Sequence, residues 1–402
     1  MSHTQKKRIA VLTGTRAEYG LLRPVLQKLA ASEELELLLL VSGAHLSSAY
    51  GATVSEIEAD GMPIAARIPI LLFEDDPLRT LKTVAYATEA YGEWLAEVKP
   101  HALLILGDRY EAFAAAQAAA LQHIPLVHIS GGDVTLGAAD DWYRHCISKM
   151  AALHFPSCRD SAERLLRMGE LPSRVFCVGG LGDENIRAVP RMTLQELSDN
   201  LSFDLTAPFA LVTFHPETAA GCAPPAEQMQ AMLLAMEDAH RESGIRFLIT
   251  KSNADAGGAE LNAMIDSWSA AHAGYAAAFT SLGLRRYLSA MAGAAVVLGN
   301  SSSGVVETPS FGVPTVNIGK RQEGRIICSN VICCDAERES IFAALQKAQS
   351  SAFKAVAAAT VSPYHGDNTS GDIVRIMAEM LQSGILHEAK EFYDYPCKED
   401  QA

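Results

Sequence analysis

Short apolar runs alternate along the chain with longer segments rich in Ala, Leu and Glu. In the first half, six apolar runs are predicted strands: 8–13, 34–41, 102–106, 125–130, 153–157 and 174–179. Helical segments such as 78–98 and 110–122 lie between them. Near-continuous apolar strands separated by helices are typical of a parallel sheet that is covered on both faces.

The same alternation begins again after a more polar stretch near 190–208. The predicted strands there are 209–214, 245–250, 275–280, 294–299 and 314–318, with helices near 225–242, 258–271, 284–293 and 336–352. Two such series indicate an α/β protein with two Rossmann-like, doubly wound domains and an interdomain cleft. We expect an N-terminal domain over 1–190 and a C-terminal domain over 191–370. The segment 371–402 would form a C-terminal helix and tail that could pack back on the N-terminal domain.

Charge and length narrow the class of protein. The 402 residues carry 33 Lys and Arg against 47 Asp and Glu, a net charge of −14. This balance disfavours nucleic acid and anionic membranes as partners, although a local cationic pocket can still hold a small anion. No apolar run approaches the ~18 residues of a membrane-spanning helix. The first apolar run is too short, and too soon broken by Gly14, for a secretory signal.

The eight cysteines are scattered and form no C-x-x-C pair. We therefore expect free thiols in a reducing cytoplasm rather than a zinc site or disulfides. No G-x-G-x-x-G or Walker A motif is present, so neither a dinucleotide cofactor nor a P-loop is predicted. The sequence predicts no cofactor and no metal.

Polar residues are concentrated where the predicted strands end, which is where parallel sheets bind ligands. After the first strand, Gly14 permits a tight turn and Arg16 stands near a helix N-terminus, a position suited to a phosphate. Asp108 follows the strand 102–106 by two residues, where its carboxylate can face a cleft. A surface arginine and a plain helix N-cap are the alternative interpretations.

A third group of polar residues follows the strand 125–130. Gly131 and Gly132 are followed by Asp133, and Asp140 and Asp141 lie shortly afterwards. Carboxylates this close in sequence resemble an acid–base cluster, in which like charges raise one pKa. An acidic loop with an Asp140–Arg144 pair at helical spacing is the alternative.

The second series contributes a histidine and a serine-rich turn. His215 ends the strand 209–214 beside Pro216, at the expected cleft, although a lone histidine is often structural. The stretch 299–307, GNSSSGVVE, should open a helix, and its small residues leave backbone N–H groups accessible to a diphosphate. Glu307 could accept hydrogen bonds from ribose hydroxyls. A basic segment at 320–325 follows the next strand and is either part of this site or a solvated surface patch.

These strings together resemble the hydrolysing UDP-N-acetylglucosamine 2-epimerases, the bacterial enzymes that begin sialic acid synthesis. The resemblance rests on GTRAEYG, GDRYEAF, HISGGD, DDWYRH with SKM, FHPET, SNADAGG, GNSSSGVVE and NIGKRQEGR between residues 14 and 325, and on EFYDYP near the C-terminus. It implies a GT-B fold, two Rossmann-like domains with the substrate in the cleft between them.

The resemblance also implies a reaction. The enzyme removes the C2 proton of UDP-N-acetylglucosamine, expels UDP to leave a 2-acetamidoglucal, and adds water to give N-acetylmannosamine. By match, Asp108 and Asp140 fall on acid–base positions and His215 on an active-site histidine. The nucleotide-sugar positions carried over, with neighbouring loop residues, are Arg16, Arg144, Asn253, Ser301, Ser302, Ser303, Gly304, Glu307 and Arg321. Relatives commonly form homodimers or homotetramers.

One departure affects the acid–base assignment. Many relatives carry a catalytic Glu where this chain has Ser130, so Asp133 or Asp141 could supply the missing carboxylate. Close relatives act on UDP- or GDP-linked diacetamido sugars for legionaminic acid synthesis, and no residue separates these substrates. A non-hydrolysing epimerase, a glycosyltransferase of the same architecture and a nucleotide-sugar sensor are the other hypotheses.

Overall fold

The structure, a computed structural model, describes residues 6–48, 52–71, 78–134, 139–217, 222–252 and 258–396. The strands are β1 Lys7–Thr13, β2 Leu35–Ser42, β3 Ile64–Ile68, β4 Ala102–Leu106, β5 Leu126–Ile129, β6 Leu153–Phe155, β7 Phe209–Thr213, β8 Arg246–Thr250, β9 Ala276–Phe279, β10 Val296–Gly299, β11 Thr315–Ile318 and β12 Val331–Cys334. The helices are α1 Arg16–Ala30, α2 Val54–Ala59, α3 Arg79–Val98, α4 Tyr110–Leu121, α5 Ala139–Met150, α6 Arg159–Arg167, α7 Leu181–Ala188, α8 Leu194–Leu201, α9 Pro225–Ser243, α10 Gly258–Ala271, α11 Gly283–Gly293, α12 Ser303–Val306, α13 Arg338–Gln349, α14 Ser351–Ala358 and α15 Thr369–Gln382.

The chain divides into two compact units, Met1–Asn185 with Pro363–Ala402, and Ile186–Ser362. Each unit contains one six-stranded parallel sheet, ordered β3-β2-β1-β4-β5-β6 in the first and β12-β11-β10-β7-β8-β9 in the second. The two orders are equivalent. In each unit the chain begins at a central strand, adds two strands on one side, and then returns to add three strands on the other side. The turning point lies between β1 and β4 in the first unit and between β7 and β10 in the second. Ligands of such sheets bind at this point, outside the carboxyl ends of the strands.

Each sheet is covered on both faces by an apolar core. In the first unit, β1 alternates between two cores: Ile9 and Val11 pack on one face, and Ala10 and Leu12 on the other. The same division separates Val212 from Leu211 in β7. Helices are amphipathic to match: α3 buries Thr83, Ala87, Tyr91 and Leu95, one residue per turn.

The C-terminal segment belongs to the first unit. Ile373, Met377 and Leu381 of α15 are fully or nearly buried in the same core as Ile9 and Val11. The tail that follows reaches α5, because the Lys390 ammonium donates to the backbone carbonyls of Lys149 and Ala151 at 2.7 and 2.8 Å. It also forms an ion pair with the buried Glu170 at 2.6 Å. The end of the chain thereby holds the C-terminal end of α5.

Three sequence predictions differ from the structure. The run 174–179 is not a strand: only Val175 bridges, to His154, because Gly179 adopts a φ of +94° and turns the chain toward Gly366. The edge strands β3 and β12 were not predicted, since neither is an uninterrupted buried apolar run. The helix predicted over 336–352 is two helices, because Ser350 is extended and caps α14.

Within the described residues, no helix combines the length and apolarity needed to span a membrane.

Gly299 at the end of β10 cannot carry a side chain. Its φ is +135°, and a Cβ there would lie 1.9 Å from the Thr213 carbonyl oxygen of β7. We predict that Gly299→Ala lowers the free energy of unfolding by about 3 kcal/mol or more, through strain and overlap. Gly274→Ala is the matched control, since no atom lies within 4 Å of its added Cβ. Chemical denaturation of both variants tests this, and equal stabilities would contradict it.

Candidate functional site

At the turning point of the first sheet, Asp108 follows β4 by two residues. Gly107, with a φ of +77°, turns the chain, and the Asp108 carboxylate accepts a hydrogen bond from the Arg144 guanidinium of α5. Burial raises the pKa of Asp108; the Arg144 charge opposes this, and the charges of Asp140 and Asp133 add to the increase. The first unit therefore brings together four predicted site residues. Such a carboxylate can exchange a proton closer to neutral pH than an ordinary aspartate.

The other carboxylates have different surroundings. Asp133 accepts hydrogen bonds from the hydroxyls of Ser157, at 2.7 Å, and Ser161, so it is held at the start of α6. Asp140 is exposed in the first turn of α5. Asp141 lies near Arg144, at 3.6 Å. Ser130, at the departure from the family pattern, adopts a left-handed φ of +62°.

His128 is a positioning residue that is not predicted from the sequence. Its Nε2 is 2.7 Å from the Gly107 carbonyl oxygen and its Nδ1 is 3.1 Å from the Ser148 hydroxyl of α5. Burial lowers its pKa to about 3, so the ring is neutral. It thus ties β5 to the turn before Asp108 and to the helix that carries Arg144. The one sign of this close packing in the sequence is Gly131, three residues after His128. A Cβ at Gly131 would lie 2.8 Å from the His128 imidazole.

A second acidic pair lies beside β1. Glu18 accepts from the backbone N–H of Gly14 at 2.8 Å, and burial, then the charge of Glu111, raises its pKa to about 7. The buried Glu111 carboxylate pairs with Arg109 at 3.0 Å. Arg16, a predicted substrate residue, begins α1, is exposed and pairs with Glu56 at 3.0 Å. A carboxylate titrating near neutrality therefore lies one turn into α1.

In the second unit, the turns after β7 and β10 are joined by Asn300. Its side-chain oxygen accepts from the His215 backbone N–H at 2.7 Å, and its amide donates to the His215 carbonyl at 2.8 Å. His215 itself is buried. The sequence alone does not predict this role of Asn300, although Asn300 directly follows Gly299 at the end of β10. These two hydrogen bonds fix the backbone on both sides of the turning point.

The serine-rich turn follows. The Ser303 hydroxyl lies 2.6 Å from the Tyr287 hydroxyl and 3.0 Å from that of Ser301. The predicted helix begins at Ser303 but ends at Val306, and a 3₁₀ helix over Thr308–Phe311 replaces it. Pro309 supplies no N–H to continue an α-helix. Burial raises the pKa of Glu307 to about 7.

The basic segment after β11 is attached to this turn. Gln322 and Arg321 donate to the Asn300 carbonyl oxygen at 2.8 and 3.3 Å. The buried Glu217 carboxylate accepts from the Lys320 backbone N–H at 3.0 Å. Ser301, Ser302, Ser303, Gly304, Glu307 and Arg321 therefore belong to one assembly of loops in this unit. Asn253 and Thr218 lie outside the described residues.

No group of three His, Cys, Asp or Glu side chains within the described ranges is arranged to hold a metal ion. Acidic side chains lie at the turning point of the first unit, and hydroxyls with a basic segment lie at that of the second.

The two Rossmann-like units define a GT-B fold, as comparison with solved structures shows. A putative UDP-N-acetylglucosamine 2-epimerase from Listeria monocytogenes superposes with a TM-score of 0.76 at 16% identity, over 98% of this chain and all of that one. The enzyme from Neisseria meningitidis, solved with UDP-GlcNAc bound, gives 0.73 at 17% identity, over 92% of this chain and 100% of that one.

Sequence comparisons give the family. The family profile described as UDP-N-acetylglucosamine 2-epimerase matches residues 27–378. The chain is 37% identical to the GDP/UDP-N,N'-diacetylbacillosamine 2-epimerase (hydrolyzing) of Campylobacter jejuni, over 87% of this chain and 89% of that protein. It is 33% identical to the polysialic acid biosynthesis protein P7 of Escherichia coli (97% and 98%) and to the UDP-N,N'-diacetylbacillosamine 2-epimerase (hydrolyzing) of Legionella pneumophila (85% and 89%). The chain belongs to the UDP-N-acetylglucosamine 2-epimerase family.

Glu18 should make stability depend on pH. Its folded pKa of about 7 lies above the ordinary 4.5, so the native state holds the extra proton between these values. The contribution of Glu18 to stability is therefore greatest below the lower value and is lost as pH rises through the higher one. We predict that Glu18→Gln, which can still accept from Gly14, becomes more stabilising relative to the wild type by about 2 kcal/mol between roughly pH 5 and 8.

Urea unfolding at both pH values measures this difference. Glu93→Gln, which changes an exposed carboxylate of α3, is the control and should show no such trend. A Glu18→Gln advantage that is independent of pH would mean that Glu18 is already charged at the lower pH.

Proposed function

We propose that the protein is a hydrolysing nucleotide-sugar 2-epimerase. It converts a nucleotide-linked 2-acetamido sugar and water into the free sugar, inverted at C2, and the nucleoside diphosphate. The observation that carries this proposal is the Asp108 carboxylate, which is partly buried, has a raised pKa and lies against Arg144 with Asp140 and Asp133 nearby. This arrangement supports proton transfer to and from carbon at neutral pH.

In the proposed reaction, a carboxylate of this group takes the proton from C2. The C2–H electron pair forms the C1=C2 double bond while the C1–O bond to the diphosphate breaks, giving a 2-acetamidoglucal. Water then adds its oxygen to C1, and C2 receives a proton on the opposite face. Asp108 and Asp140 are assigned to these proton transfers, with Asp133 as the third candidate and His215 as an active-site partner. Activity that depends on the charged Asp108 carboxylate should be lost on acidification. Because the pKa of Asp108 is raised, this loss should occur at a higher pH than with an ordinary aspartate.

The second unit supports binding of the leaving group. Hydroxyls and backbone N–H groups at Ser301–Gly304 with the Arg321 guanidinium can stabilise a diphosphate as it gains charge. The Glu307 carboxylate can accept from the ribose hydroxyls. Arg16, Arg144 and Asn253 retain their proposed contact with the nucleotide sugar, by resemblance to the family.

For the sugar, we propose a UDP- or GDP-linked N,N'-diacetylbacillosamine. The names of the Campylobacter and Legionella relatives support this substrate, and both names include hydrolysis. UDP-N-acetylglucosamine is the second candidate, supported by the description of the family profile. Proton NMR in D2O with each nucleotide sugar tests both the reaction and the substrate. We expect free sugar that carries deuterium at C2, together with the nucleoside diphosphate.

The same spectra distinguish the other functions. A mixture of two intact nucleotide sugars without free diphosphate would indicate a non-hydrolysing epimerase, and product only with an added acceptor would indicate a glycosyltransferase. Binding of UDP without turnover of any of these sugars would indicate a sensor. Each of these outcomes contradicts the proposal.

Asp108→Asn should reduce kcat by a factor of ~10² to 10⁴, because the amide cannot take the proton. The Kd for UDP, measured by calorimetry, should stay within a few-fold, since Asp108 lies in the first unit and the diphosphate loop in the second. Asp199→Asn, an exposed aspartate of α8, is the control. Near-normal kcat in Asp108→Asn would exclude its acid–base role.

In contrast to Asp108→Asn, the double variant Ser302→Ala/Arg321→Ala should weaken the binding of UDP. Loss of a hydroxyl and a cation from the diphosphate loop should weaken UDP binding by about 10- to 100-fold, at ~1.4 kcal/mol per factor of ten. Arg285→Ala, on α11, removes an equal charge elsewhere in this unit and should leave the Kd unchanged. Unaltered affinity in the double variant would place the diphosphate elsewhere.

A further inference from the structure

The tail that follows α15 caps the C-terminal end of α5 through Lys390. The Lys390 ammonium lies 2.7, 2.8 and 3.3 Å from the backbone carbonyl oxygens of Lys149, Ala151 and Ser148. The last four carbonyls of an α-helix have no partner within the helix. Because an ammonium has three N–H donors and a positive charge, it can satisfy such carbonyls and is favoured by the helix dipole. Lys390 therefore serves as a side-chain cap for a helix that lies far from it in sequence.

A buried carboxylate holds the Lys390 ammonium against this helix end. Glu170 is 1% exposed and accepts a hydrogen bond from His154 Nε2 at 2.9 Å. It also forms ion pairs with Lys149 of α5 at 2.8 Å and with Lys390 at 2.6 Å. A buried carboxylate is strongly unfavourable without its cations, so Glu170 keeps both ammonium groups in place. The end of α5 and the tail thus share one charged partner.

The backbone of the tail is fixed on both sides of Lys390. Before it, the buried Arg174 guanidinium donates to the Ile385 carbonyl oxygen at 3.1 Å. After it, the Tyr393 N–H donates to the Gly169 carbonyl oxygen at 3.0 Å. A side chain that starts from an anchored backbone loses less conformational freedom when it makes its contacts. Lys390 is therefore held more firmly than an ordinary surface lysine.

The capped helix carries two contacts of the acid–base site. The Ser148 hydroxyl lies 3.1 Å from His128 Nδ1 and donates to the Arg144 carbonyl at 3.0 Å. One turn earlier, the Arg144 guanidinium donates to the Asp108 carboxylate. Arg144 is only 7% exposed, so its surroundings leave it little freedom to follow Asp108 if α5 moves. Because packed interiors transmit small displacements, a shift at the end of α5 reaches the Arg144–Asp108 pair.

We propose that Lys390 is a positioning residue of the acid–base site, which acts through α5 to hold the Arg144 guanidinium against the Asp108 carboxylate. The inference rests on the proposed function. The described contacts of Lys390 are with the end of α5 and with Glu170, so its effect on Asp108 passes along the helix. The last segment of the chain thereby contributes to proton transfer without touching the substrate.

Lys390→Met, which keeps the length of the side chain but has no donor, tests this inference. We expect kcat to fall ~10-fold or more, since a small misplacement of a catalytic group has a large effect on rate. The pKa of Asp108 should rise by about 0.5 or more as Arg144 withdraws, and the acidic limb of the kcat/KM profile should move to higher pH by the same amount. The Kd for UDP should not change, since the diphosphate loop lies in the second unit.

NMR of isotopically labelled aspartate carboxylates measures the pKa of Asp108 without turnover, with Asp108→Asn identifying the signal. Lys354→Met removes an equal charge from an exposed position of α14 and is the control, for which no quantity should change. Lower thermal stability of Lys390→Met with an unchanged pKa of Asp108 would mean that the cap is only structural, and would overturn the inference.

The double variant Lys390→Met/Glu170→Gln removes the buried ion pair as a whole, and it decides the matter if Lys390→Met does not fold. The glutamine oxygen can still accept from His154. We expect the same rise in the pKa of Asp108, whereas a return to the wild-type pKa would assign the effect to the unpaired Glu170 and contradict the role of the cap. If the wild type hydrolyses no nucleotide sugar but the NMR titration shows the expected rise, the proposed function alone is wrong.

Discussion

The burial of carboxylates at the carboxyl ends of parallel strands is the constraint on which both units depend. Asp108 lies just beyond β4, Glu18 lies in the first turn of α1, and Glu307 directly follows α12, and at each position protein replaces much of the surrounding water. A charged carboxylate is unfavourable there unless cations or hydrogen-bond donors compensate. In the first unit Arg144 and Arg109 offset the effect of burial only partly, and the charges of neighbouring carboxylates add to the rise in pKa. The result is a set of acids with raised pKa at the turning points of the sheets.

The second unit relies more on amide side chains than on charge. Asn300 joins the turns after β7 and β10, and Gln322 attaches the loop after β11 to the same carbonyl. Three turns from three strands are thereby fixed through one residue. This arrangement keeps hydroxyls and backbone donors in place around the serine-rich turn, although α12 has only one turn and adds little helix dipole.

Much of this architecture could be predicted from the sequence. Buried central strands such as β1, β4 and β7 have uninterrupted apolar runs, and their positions agree with the predictions to within one residue at most ends. Strands β3 and β12 lack that signal, because both are short and none of their residues is fully buried. The strand predicted at 174–179 failed because apolar residues there pack as irregular chain around Gly179.

Candidate site residues could be proposed from the sequence where a polar side chain directly follows a strand, as Asp108, His215 and the serine-rich turn do. His128 and Asn300 could not, because they act through backbone partners that lie far away in sequence. Their hydrogen bonds depend on strand order, which periodicity does not encode. The short length of α12 was also unpredicted, since Pro309 lies two residues beyond Glu307 and its effect depends on the following 3₁₀ turn.

The placement of α15 in the first core has a consequence for biosynthesis. The ribosome makes this helix after the whole of the second unit, so the first unit lacks Ile373, Met377 and Leu381 from its apolar core until then. The second unit is contiguous in the chain and can reach its native state earlier. The core of the first unit can therefore be completed only after the second unit has been synthesised, although the first unit begins the chain.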